Sequence, residues 1–213
     1  MGNRAVITTD SKTYEVSNSN EIGVYLHWNG GRDSVEAFLT YCKLKGYRTP
    51  ETDNYGWARL CQVIGNFFGG STSIGIDKCC NLDCDNYDNG TYIIKNWEIV
   101  DRKYSDGYEQ RSYDLTEMLI EIDSRQPEHE QLGKDFFLAE EVPVSEIKIG
   151  DTVFFFDSVY GRYEKRTVMG ICKEDSGWNK RKGRPYVDKY ADADGFSWNG
   201  NNYITTETIR VCR

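Results

Sequence analysis

The sequence predicts an α+β fold: a mixed sheet packed with about three helices over residues 1–140, followed by a small all-β barrel over residues 141–213. Two observations predict it. Up to about residue 125, short runs rich in β-branched and aromatic residues are interleaved with longer stretches whose apolar residues recur every three to four positions. From Val142 onward only short strand-like runs remain, and the helical period disappears.

Residues 4–9 and 22–27 read as strands, joined by the polar Ser/Asn stretch at 17–20. A helix follows at once, with Asp33 or Ser34 as its cap and Glu36 placed to close a capping box. Val35, Phe38, Leu39 and Cys42 share one face of it, and Gly46 is its natural stop. The clearest helix spans residues 55–68, where Trp57, Leu60, Cys61, Ile64 and Phe67 or Phe68 form a stripe ending at Gly69-Gly70. Strands are expected at 74–77, 91–94 and 97–103, with Asp88-Asn89-Gly90 as a tight-turn signal. A third helix, 115–125, has Asp114 as cap and Glu117 closing a capping box. Residues 126–134 read as a polar connector with room for a short helix. The tail then supplies strands at 152–156, 167–172, 186–189, 202–204 and 208–212.

With 38% hydrophobic and 14% aromatic residues, the 213-residue chain has material for a packed interior and lacks the signature of disorder. No apolar run approaches the roughly 20 residues that cross a bilayer, and the first residues lack the apolar core of a signal peptide. Seven cysteines without an export signal fit reduced thiols in a cytoplasm, with Cys42 and Cys61 as small core residues. The net charge of −8 is uneven: residues 1–140 carry 14 basic and 23 acidic side chains, and residues 141–213 carry 12 and 11. Such an N-terminal surface repels phosphate backbones, which disfavours direct nucleic-acid binding there. It gives ordinary solubility, or an acidic face that competes with nucleic acid for a basic partner.

The segment Leu26-His27-Trp28-Asn29-Gly30-Gly31-Arg32-Asp33-Ser34 joins a strand to a helix N-terminus through two glycines. Free amides there can hold an anion, Arg32 can pair with a phosphate or carboxylate, and Trp28 can stack on a ring. His27, Asn29, Gly30 and Gly31 complete this candidate site. It matches neither the P-loop nor the dinucleotide glycine pattern, so a structurally demanding turn is the competing reading. Tyr55, Trp57 and Arg59 open the second helix as further candidate contacts, against the alternative that an aromatic pair at helical spacing is packing. In the tail, Lys180, Arg181 and Lys182 form a basic loop that suits phosphates or an acidic protein face, or is simply solvated.

Metal and cofactor signatures are missing. Cys79, Cys80 and Cys84 have no second cysteine pair or histidine at zinc spacing, and an EF-hand register starting at Asp83 puts Ile94 where an oxygen ligand is required. With only His27 and His129, schemes of histidine-based catalysis are few, and no catalytic residue is assigned.

Residues 2–8, 23–39 and 55–70 resemble a family of uncharacterised proteins carried by bacteriophages, prophages and other mobile elements. The resemblance spans about residues 1–125. In the tail, the lead-in Ile147-Lys148-Ile149-Gly150-Asp151-Thr152-Val153 is similar to the opening of small SH3-like barrels. The first resemblance implies a small accessory protein in the cytoplasm of a bacterial host, where blocking host defence is a frequent task. The expected function is therefore a non-enzymatic inhibitor that needs no cofactor and acts by binding. Its partner is either a host defence protein such as a CRISPR nuclease or a nucleotide immune signal. The competing expectations are a hydrolase of a nucleotide or peptide working through His27, and a phage structural or assembly module. On this reading, Trp28→Ala with Arg32→Ala removes binding and leaves the thermal midpoint nearly unchanged.

Overall fold

β1 (Ala5–Thr9) is buried along its whole length, because it lies at the centre of a five-stranded sheet. The structure, a computed structural model, describes residues 2–9, 16–70, 73–104, 107–157, 162–173, 182–187 and 202–212. The chain divides into two compact units, Met1–Gln131 and Leu132–Arg213, so the division falls ahead of the boundary expected at residue 140. Both helices and sheets are present, and the fold is α+β. Among the described residues, no helix is long and apolar enough to cross a membrane.

In the first unit, β2 (Ile22–Leu26), β3 (Ile74–Lys78), β4 (Thr91–Lys95) and β5 (Glu98–Lys103) join β1 in the order β3-β2-β1-β4-β5. The sheet is mixed as expected: β1 runs parallel to β4, and every other pairing is antiparallel. Val6 and Ile93 share a buried cluster with Val16, Cys79 and Cys84. The three helices are α1 (Arg32–Leu44), α2 (Asn54–Phe67) and α3 (Leu115–Ser124). Phe38 of α1 meets Phe67 of α2 edge to face at 5.2 Å. Tyr41 of α1 donates to the buried Asp123 carboxylate of α3 at 2.7 Å. Each large apolar side chain buried this way contributes roughly 1.5–3 kcal/mol, so the helical stripes read from the sequence are what hold the layer together.

Two local expectations are corrected. The α1 N-cap is Gly31, which makes no side-chain cap bond, so neither Asp33 nor Ser34 caps this helix. Asp33 instead accepts from the Ser112 and Tyr113 amides, the latter at 2.9 Å, and Glu36 pairs with Arg32 and Arg111. The tight turn between β4 and β5 is Asn96-Trp97, with φ of 51° and 63°, the signs that a two-residue hairpin turn needs. Trp97 therefore belongs to the turn and not to a strand, and Asp88-Asn89-Gly90 leads into β4. By contrast Asp114 caps α3, accepting from the Glu117 amide at 3.0 Å.

The second unit opens with α4 (Lys134–Leu138) and a six-stranded sheet: β6 (Glu140–Pro143), β7 (Thr152–Asp157), β8 (Arg162–Ile171), β9 (Pro185–Val187), β10 (Asn202–Tyr203) and β11 (Thr208–Cys212). The order is β10-β9-β8-β7-β11-β6. Among the described residues β10 and β6 form its two ends, so the sheet is not a closed barrel. β8 pairs with β7 through residues 162–167 and with β9 through residues 168–171, across an irregularity between Val168 and Gly170. The lead-in motif has a clear local role. Gly150 takes φ 94° and donates to Val168 at 2.8 Å, Asp151 accepts from the Lys148 amide at 2.9 Å, and Val153 is fully buried.

Candidate functional site

The turn from β2 to α1 is built by close backbone approach. Gly30 donates to the Asn3 carbonyl at 2.8 Å, and Asn3 donates to the His27 carbonyl at 3.2 Å. A Cβ on Gly30 would stand 2.6 Å from the Ala5 nitrogen, so only glycine fits. Asn29 takes φ 54° beside it. Of the first-turn amides, that of Ser34 donates to the Asp33 carboxylate at 2.7 Å, and Val35 makes the first intrahelical bond, to the Gly31 carbonyl at 3.0 Å. Asp33 also puts a negative charge into the first turn of α1.

Arg32 reaches Glu36 and Glu109, each at 2.7 Å. Arg111 approaches the same two carboxylates at 3.1 and 3.7 Å. Together with Asp33, these pairs strap residues 109–113 onto the start of α1. The Arg32 guanidinium is thus spent on the protein's own carboxylates. Outside this network, Trp28 is 44% exposed, its ring edge-on to His27 at 5.0 Å.

The second candidate group sits in a surface cleft of about 430 Å³ lined by Gly46, Tyr47, Arg48, Tyr55 and Arg59. Its first wall is the end of α1. Gly46, at φ 67°, donates to the Lys43 carbonyl at 3.0 Å while Tyr47 donates to Cys42 at 3.1 Å, the paired bonds of a glycine-terminated helix. Its second wall is the start of α2, where Asp53 caps the helix by accepting from the Tyr55 amide at 2.8 Å. The walls meet at Gly56. A Cβ there would lie 2.6 Å from the Arg48 carbonyl oxygen and from the Pro50 nitrogen, so this glycine lets the 48–50 loop rest on the helix.

Tyr55 and Arg59 stand one turn apart and share the outward face of α2. Tyr55 is 67% exposed, whereas Trp57 is turned inward and buried. Each arginine lies over a tyrosine ring: Arg48 over Tyr55 at 5.9 Å from the ring centre, and Arg59 over Tyr47 at 5.2 Å. Arg48 is paired with Asp53 at 2.6 Å. That guanidinium, and then the Tyr55 amide, hold the Asp53 carboxyl below its usual value. Arg59 donates to the neutral Gln62 side chain at 2.7 Å, and among the described residues no carboxylate pairs with it.

Tyr47 is fixed from behind. The Trp97 indole donates to its carbonyl at 2.9 Å, and its hydroxyl donates to Glu130 at 3.3 Å. Burial and the Glu130 charge push the Tyr47 phenol up, so it stays neutral. The left-handed turn at Trp97 therefore supports a cleft wall.

The candidates thus separate. His27, Trp28, Asn29, Gly30, Gly31 and Arg32 make one junction, Tyr55 and Arg59 line the cleft, and Trp57 is packing. Lys182 is exposed in the second unit, while Lys180 and Arg181 lie outside the described residues. Tyr47 and Arg48 were not read from the sequence as contacts. The signals were the glycine stop at Gly46 and the cap at Asp53, which bracket a loop short enough to bring both walls together. No protein-family model, curated protein or solved structure matches this chain.

Proposed function

We propose that this chain is a non-enzymatic accessory protein of a phage or other mobile element, acting in the bacterial cytoplasm to block host defence by binding. The single observation that carries the binding mode is the cleft, where two arginines and two tyrosines converge and one arginine has no carboxylate partner among the described residues. Such a surface suits a small anion with a planar ring, which favours sequestering a nucleotide signal over masking a defence protein. The net charge of −8 supports the protein-masking mode instead, since an acidic chain can compete for a basic face. In the second unit, the β7-β8-β9-β10 meander with β11 returning beside β7 supports an SH3-like module as a further contact surface.

The test is phage plating on bacteria that each carry a single defence system, with and without this protein expressed. Restored plating against one system is the expected outcome and names the pathway. No restoration across a broad panel contradicts the anti-defence reading and points to a hydrolase or an assembly module.

A further inference from the structure

We propose that the cleft between Tyr47 and α2 binds a nucleoside phosphate, with the phosphate on Arg59 and the base on Tyr55; this rests on the reading of the protein as a binder of small ligands. Four features of the cleft argue for it.

The first is the state of Arg59. A guanidinium offers five N–H donors in a planar fork that matches two phosphate oxygens at once. One is given to the Gln62 amide oxygen at 2.7 Å, and the guanidinium lies over the Tyr47 ring, 5.2 Å from its centre. Tyr47 is itself held by Trp97 and Glu130. The fork is therefore oriented before any ligand arrives, which lowers the entropy lost on binding.

The second is Tyr55. It is 67% exposed and four residues before Arg59, so its ring and the Arg59 guanidinium open into the same space. An exposed ring next to a fixed cation is a stacking platform for a planar base, and stacking tolerates any base because every base has a π-face.

The third is the charge balance. Arg48 is paired with Asp53, which also caps α2, so its role is to steady Tyr55 while Arg59 supplies the unbalanced charge. One compact anion fits this arrangement. A polyanion does not, because the chain as a whole, at net −8, repels it.

The fourth is size. About 430 Å³ lies within the roughly 300–1,000 Å³ typical of small-ligand pockets.

The experiment is calorimetric titration of the full chain with AMP, GMP and cyclic di-AMP. Adenosine and inorganic phosphate serve as half-ligands, and a short single-stranded oligonucleotide as the polymeric source of the same chemistry. At least one nucleotide binds saturably, and more tightly than either half-ligand. Arg59→Gln weakens it by about tenfold or more, the loss of a charge-assisted bond, and Arg59→Lys restores part of the affinity. Tyr55→Ala weakens it by roughly fivefold or more. Silence with every nucleotide at millimolar concentration overturns the proposal. So does nucleotide affinity unchanged in both Arg59→Gln and Tyr55→Ala, or binding of the oligonucleotide alone. Plating separates this from the anti-defence reading: nucleotide binding without restored plating sinks only the latter, and restored plating that survives Arg59→Gln sinks only the cleft.

Discussion

Arg32 donates to Glu36 and Glu109 at 2.7 Å, whereas Arg59 donates to a neutral amide. Both sit near the N-terminal end of a helix, and both were read from the sequence as candidate contacts, Arg32 as an anion partner. Their neighbours decide the difference. An arginine already bridging two carboxylates must break those bonds to take a phosphate, while Arg59 has, among the described residues, no ion pair to break. The same attention to partners gives a stability prediction in the helical layer. Tyr41 is fully buried and donates to Asp123, itself 2% exposed. Burial first, and then this carboxylate, push its phenol far above the usual value, so it remains a donor at any working pH. Tyr41→Phe removes that bond to a buried charge and should lower stability by about 1.5–3 kcal/mol. Urea unfolding checks it: the midpoint falls with an unchanged slope, and an unchanged midpoint contradicts the assignment.

At the scale of elements, the cleft depends on the contact between the 48–50 loop and the first turn of α2. Gly56→Ala tests this directly. Alanine is the better helix former by about 1 kcal/mol, yet its Cβ would stand 2.6 Å from three atoms of the loop backbone, and overpacking of that kind costs roughly 1–3 kcal/mol. The steric effect should win: the variant loses stability, and nucleotide affinity falls with it as Tyr47 and Arg48 move away from Tyr55 and Arg59. A more stable Gly56→Ala protein contradicts the described loop contact.

The helices were legible because apolar periodicity and a side-chain cap such as Asp114 act within a few residues. The Asp33 cap failed because that carboxylate serves Ser112 and Tyr113, nearly eighty positions away, and spacing cannot reveal a partner at that range. The Asn96-Trp97 turn was missed for a related reason. Tryptophan has no preference for positive φ and is held there by burial and by the Tyr47 carbonyl. In the cleft, Tyr55 and Arg59 were read as contacts because they open the second helix, but Tyr47 and Arg48 join them only through the packing at Gly56.

At the scale of the whole molecule, the acidic excess lies in residues 1–140 and the tail is almost neutral. A small cationic cleft in such a chain selects for small anions over nucleic acid, because long-range repulsion grows with ligand charge whereas the arginine contact does not. On the proposed reading this cleft works in function, while the β2–α1 turn works in folding. One side-by-side comparison tests it most directly: thermal midpoint and restored phage plating for the Tyr55→Ala/Arg59→Gln pair and for the Trp28→Ala/Arg32→Ala pair. The cleft pair should lose restored plating with its midpoint within a few degrees of the parent, and the turn pair should lower the midpoint yet still restore plating where it is folded. A turn pair that abolishes restored plating at an unchanged midpoint, beside a cleft pair that leaves it intact, would reverse the two roles.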